Sequence, residues 1–299
     1  MSRARLKVLY GKLEGAAGKF ARDPSGYLGI EAGIFRRHGL DVSWEYVQGT
    51  EERRRRLENG AADVSLVVGR ASLRHFLESG TTRLIGSSMN SCPYYLIAET
   101  GIDEVRGLKR KSIACREGTA RVSPIARALQ EKGGLASDKD LVLEMPEGDQ
   151  DAFSMLMSKA VQAALLPRPF AFVAEEKGFH RITDWPEVVD DPLPVTLEIT
   201  EKTLRERARD LDAFLEAHGE GIRYLKAHRD KTLRMLGARL GLSPALAAKT
   251  FDDYLILLDD HLTIDLGQLE KLLAQVAPGR PGGARQLASE WIVPGAVKG

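Results

Sequence analysis

Residues 26–49, GYLGIEAGIFRRHGLDVSWEYVQG, change their pattern across one glycine. Asp23-Pro24 ahead of them supplies an N-cap and a proline for the first helical position, which predicts a helix to about His38 with Gly39 as its stop. Beyond that glycine, LDVSWEYV (40–47) is rich in β-branched and aromatic residues and reads as a strand. Working outward, Leu6–Tyr10 is a short apolar strand. TEERRRRLEN from Thr50 is a helix ended by Gly60, and DVSLVV (63–68) is a buried strand. A helix over 71–78, closed by Gly80, leads into TRLIGSS (82–88). Strands that alternate with helices imply a parallel sheet covered on both faces.

The alternation restarts after residue 90. YYLIAE, KSIACR, LVLEM and VQAALL are strands, with helices near 119–131, 149–158 and 167–177, and PVTLEI (194–199) is the last strand. From Glu201 onward helices alone are expected: Leu211, Phe214, Leu215, Ile222 and Leu225 recur at helical spacing, as do Leu233, Leu236 and Leu240. Ser243-Pro244 opens a further helix, and APGRPGGAR is a loop ahead of the tail.

Bulk properties narrow the function. At 299 residues, two lobes are the default expectation. The net charge of +1 gives no support for nucleic acid or an anionic membrane as partner. No apolar run approaches the ~18 residues needed to span a bilayer. Two cysteines, Cys92 and Cys115, make no disulfide framework, and six scattered histidines show no metal-ligand spacing, so neither a metal nor a cofactor is expected. At the start, Arg3, Arg5 and Lys7 precede only Val8-Leu9-Tyr10 before Gly11, which reads as a strand and not as an export leader. A periplasmic location then requires that a leader was removed; a native Met1 implies the cytoplasm.

With its neighbours LENGAADVSLVVGRASL (57–73) and GLKRKSIACREGTARVSPIARALQEKGGL (107–135), the opening stretch resembles the NMT1/THI5-like and sulfonate-type solute-binding proteins. The segments LLPRPFAFVAEEKGFHRITD (165–184) and 211–247 extend the resemblance over roughly residues 5–275. It implies a type II periplasmic-binding-protein fold, α/β in class. Two lobes would be joined by crossing strands near Ser91–Tyr94 and Pro194–Thr200, with residues 1–90 and 200–299 forming lobe I and 91–199 forming lobe II. It also implies a small organic solute in an interlobe cleft, anionic or aromatic, delivered to an ABC permease if the protein is exported.

Candidate ligand contacts follow from position. The glycine-rich 11–27 loop fails the phosphate-loop spacing and reads as a wall of the site. Tyr27 there is a stacking partner for a flat ligand or an ordinary core tyrosine. Arg70 should emerge where the buried 63–68 strand ends, either to pair a carboxylate or to make a surface salt bridge. Gly118 and Thr119 open a helix and either bind an anion or merely cap it. Arg121 opposes the dipole of that helix, which favours an anionic ligand. Ser91 and Cys92 fall at the first crossing. Arg53–Arg56 reads as a solvated helix face.

Enzymatic relatives on this fold give the alternative: a desulfinase-, decarboxylase- or lyase-like enzyme, or a ligand sensor. The desulfinases carry a catalytic cysteine in the loop after the first strand, whereas this chain has none before Cys92, which becomes the nucleophile only under that alternative. No constellation of residues demands chemistry, so binding is the favoured reading.

Overall fold

The computed structural model describes residues 3–11, 23–47, 49–115, 133–135, 140–146, 148–182 and 189–298. They fall into two units. Unit one holds the described residues up to Ser91 and those from Pro192 onward; unit two runs from Cys92 to Asp191.

The first strands and helices of unit one are β1 (Ala4–Gly11), α1 (Ser25–Glu31), α2 (Ile34–Arg37), β2 (Leu40–Val47), α3 (Thr50–Glu58), β3 (Val64–Val67) and α4 (Gly69–Ser79). Then β4 (Thr82–Ala98) carries the chain into unit two. That unit contains β5 (Lys111–Ala114), β6 (Leu141–Glu144), α5 (Asp149–Met157), β7 (Ala163–Pro167), α6 (Phe170–Glu176) and β8 (His180–Arg181). The chain returns through β9 (Val189–Thr200) to α7 (Glu201–Ala227), α8 (Arg229–Leu240), α9 (Pro244–Leu257), β10 (Ile264–Asp265), α10 (Leu266–Val276), α11 (Gly283–Trp291) and β11 (Val297–Lys298).

In unit one, β1 pairs in parallel with β2 on one side and β3 on the other, and β9 lies antiparallel between β3 and β4. In unit two the order is β4-β7-β5-β6; β5 is parallel to both neighbours, and β4 is antiparallel to β7. The C-terminal helices close one face of unit one. Leu269, Leu272, Leu287 and Trp291 pack with Leu73, Phe76 and Leu84, and the Trp291 ring stacks on Phe76 at 5.9 Å. Unit two has its own core around Tyr94, Leu96, Val105, Ile113 and Leu165.

Most expected elements are present, and three expectations are corrected. The single helix to His38 is two: Gly33 sits at φ 68°, a left-handed conformation that breaks the run. The 194–199 strand is not the last, because β10 and β11 pair in parallel late in the chain. Each has two residues, too few for a period to be seen. The 53–56 run is not uniformly solvated. Arg54, Arg55 and Arg56 pair with Glu78, Glu52 and Glu45, but Arg53 is buried at 9% exposure.

Trp44 fixes the approach of α1 to β2. A Cβ on Gly26 would stand 2.5 Å from the Trp44 ring, so only glycine lets the indole lie there. Gly26→Ala is expected to cost about 1–3 kcal/mol through overpacking, read as a lower urea midpoint with an altered near-ultraviolet signal from Trp44.

Candidate functional site

In parallel α/β sheets, ligands collect beyond the carboxyl ends of the strands. In unit one these ends are Gly11, Val47 and Val67. Arg70 follows β3 by three residues, in the first turn of α4, and only 6% of it is exposed. Gly69 beside it packs against Leu193, fixing the turn.

An aromatic wall stands at the start of α1. The Tyr27 ring stacks on Tyr46 at 5.6 Å and tilts against Trp44 at 6.4 Å, with the Arg239 guanidinium 5.0 Å from its centre. Its hydroxyl is inaccessible and makes no hydrogen bond. Burial, with Tyr46 beside it, pushes that hydroxyl far above the usual phenol range. Tyr27 is therefore part of a packed aromatic cluster, with its hydroxyl against Tyr46.

Behind this wall lies a polar pair with no exposed surface: His218 Nε2 is 2.8 Å from Asp23 Oδ2. The Asp23 side chain also accepts the Ser25 N–H, and its own N–H donates to the Tyr10 hydroxyl. Trp44 lies flat on His218, the rings 5.6 Å apart and 7° from parallel. Burial alone would raise the Asp23 carboxyl, but His218 and Ser25 outweigh it and hold it below its ordinary value.

In unit two, Arg168 immediately follows β7 and is 8% exposed. Both Arg168 and Arg181 lie over the Tyr95 ring, at 5.6 and 3.6 Å, and Arg181 pairs with Glu175 at 3.3 Å. Tyr94 donates its hydroxyl proton to the buried Asp149 carboxylate at about the start of α5, 3.1 Å away. Tyr94 also faces Pro167 in the β4–β7 register. Cys92, two residues earlier, thus lies beyond the carboxyl end of β7 and is 5% exposed. Ser91, half-buried, precedes it at the change of unit.

The candidates do not all fall in one unit. Arg70, Tyr27 and Ser91 belong to unit one and Cys92 to unit two. Gly118, Thr119, Arg121 and most of the 11–27 loop, Gly15, Gly18 and Lys19 included, lie outside the described residues. Among the described residues no His, Cys, Asp and Glu groups assemble into a metal-holding set, and no helix is long and apolar enough to cross a membrane. Sequence reading passed over Arg168, although it carries a signal like the one that picked out Arg70: an arginine shortly after a fully buried strand.

The family model described as NMT1/THI5 like matches residues 25–232. The chain belongs to the NMT1/THI5-like family. No curated protein sequence matches it significantly. Among solved structures it is similar to a putative sulfonate ABC transporter protein, the periplasmic sulfonate-binding protein SsuA of Methylobacillus flagellatus. That likeness has a TM-score of 0.72 and 13% identity over 98% of this chain and 92% of the other. A Candida albicans gene product described as having the generic periplasmic binding protein fold gives 0.66 and 14%, over 96% and 95% of the two chains. The desulfurization enzyme DszB gives 0.64 and 17%, over 96% and 92%. The fold of this NMT1/THI5-like protein is that of the periplasmic binding proteins.

Asp23→Asn should destabilise the protein by about 1–3 kcal/mol, since it replaces the carboxylate that binds both the His218 ring and the Ser25 N–H in the core. The lowered Asp23 value adds a pH signature. Its contribution is present above the unfolded value of 3.8 and is lost as pH falls through the lower folded value. Urea melts across the acid range should show that loss in the wild type and a flatter curve in the variant.

Proposed function

We propose that this chain is the substrate-binding component of an ABC importer and takes a small organic anion, with a sulfonate or carboxylate group on an aliphatic or aromatic body. One observation supports this above the others: each unit carries a buried arginine just past the carboxyl end of a buried strand, Arg70 after β3 and Arg168 after β7. A guanidinium offers two parallel donors to a carboxylate or sulfonate, and burial strengthens such charge-assisted bonds. Membership of the NMT1/THI5-like family and the likeness to a sulfonate-binding protein agree with that chemistry. The Tyr27–Tyr46 and Tyr95 rings add flat apolar surface in the same two regions.

The desulfurization enzyme among the similar structures supplies a second reading, in which Cys92 is the nucleophile. Cys92 is buried on strand β4, and no base is evident beside it in the sequence; a thiolate needs such a neighbour.

Calorimetric titration with alkyl- and arylsulfonates and the matching carboxylates tests the binding reading. Arg70→Gln or Arg168→Gln should weaken the best ligand by about 10–100-fold, the worth of a hydrogen bond to a charged group. Failure of the whole panel to bind, or unchanged affinity in both variants, overturns it. Consumption of an aromatic sulfinate that Cys92→Ala abolishes would replace it with the enzyme.

A further inference from the structure

A second charged recess lies wholly within unit one, between α3 and α4 over the face of β3 and β9, and the proposed ligand site does not use it. Its volume is about 320 Å³, at the lower end of the range for small-molecule sites. Arg53 and Arg54 line it from α3, Arg74 and His75 from α4, and Ser65 and Glu198 from the sheet.

Arg53 is the anomaly. It is more than nine-tenths buried, yet among the described residues no carboxylate comes within ion-pair distance. Nη1 donates to the Val47 carbonyl at 3.2 Å and Nη2 reaches the Thr50 hydroxyl at a long 3.4 Å. Nε donates to nothing. A guanidinium has five N–H donors, so most of its capacity is unspent. Three carboxylates line the recess: Glu51 is exposed at its rim, Glu78 lies there too, and the buried Glu198 is already engaged, with the Ser72 hydroxyl donating to it at 2.7 Å and His75 Nδ1 3.2 Å away. Burial depresses the Arg53 pKa, and Tyr10 and Glu198 only partly offset it. Arg74, exposed beside the recess, has no ion-pair partner among the described residues, whereas the rim carboxylate of Glu78 is taken by Arg54 at 2.7 Å. A buried cation without a counter-charge costs folding free energy, and a bound anion removes that cost.

We propose that this recess is a binding site for a small oxyanion, a sulfate- or phosphate-type group, with Arg53 as its buried anchor and Arg74 as its exposed one. The planar fork of Arg53 suits two oxygens of one tetrahedral anion. The site is separate from Arg70 and Arg168 and does not depend on the identity of the transported ligand.

The test uses inorganic phosphate and sulfate as probes on the full chain. Thermal unfolding is followed against sodium chloride at matched ionic strength, which removes general screening. Binding to the folded state should raise the melting temperature saturably and shift the side-chain Nε–H resonance of Arg53. Arg74→Gln, an exposed change that leaves the fold intact, should weaken both responses about tenfold, while the same change at the exposed Arg209 of α7 leaves them unchanged. No effect beyond chloride, an unmoved Arg53 resonance, or a response that Arg74→Gln leaves intact overturns the proposal. So does a response that the Arg209 change weakens equally.

Discussion

A carboxylate and an imidazole without exposed surface, Asp23 and His218, hold unit one together across 195 positions of sequence. The contact does more than satisfy two buried polar groups. Asp23 fixes the first turn of α1 through Ser25 and the end of β1 through Tyr10. His218 carries the flat of Trp44 from β2, and Phe214 and Phe35 stack beyond it. Two strands and two helices therefore meet at one polar bond inside an aromatic cluster. Such a bond is expensive to break, because each partner alone is a polar group stranded in the core. The arrangement of Tyr27 and Tyr46, and with it one wall of the candidate ligand region, inherits its geometry from this pair.

Local signals carried the sequence reading a long way. Gly39, Gly60 and Gly80 end helices where expected, each at positive φ, and Ser243 caps its helix by accepting the Leu246 N–H. Apolar periodicity located the helices after residue 200, and Leu211, Phe214, Ile222 and Leu225 are indeed buried. What could not be read is non-local. Asp23 looked like a helix cap and is instead half of a buried pair whose partner lies far along the chain. Arg53 looked like its three neighbours, since nothing in RRRR distinguishes the side chain that β2 and β9 will cover. The β10–β11 pairing rests on four residues. Arg70 was legible because a buried strand announces its own end; Arg168 had the same announcement, partly hidden by the proline on either side of it.

The two cationic themes of the molecule differ in kind. Arg70 and Arg168 stand just past the carboxyl ends of buried strands, Arg70 in the first turn of a helix. Arg53 is held under a helix by weak bonds to a carbonyl and a hydroxyl. The first arrangement suits recognition of a varied solute and the second a small, fixed counter-charge. The family and the fold fix the scaffold, and the placement of these guanidiniums decides what it can hold.

The passage of the chain through β4 and back through β9 bears on biosynthesis. The described residues of unit two all lie between Cys92 and Asp191 and have emerged from the ribosome once residue 191 has. Unit one is completed later: β9 must enter between β3 and β4, and α7, α10 and α11 supply the apolar cover. The earlier-made β1, β2 and β3 wait, with an unfilled edge, for partners translated more than a hundred residues later. Unpaired strand edges of that kind invite aggregation. The nascent chain is thus a natural client for chaperones until its last third is made, and truncations there would harm the N-terminal strands first.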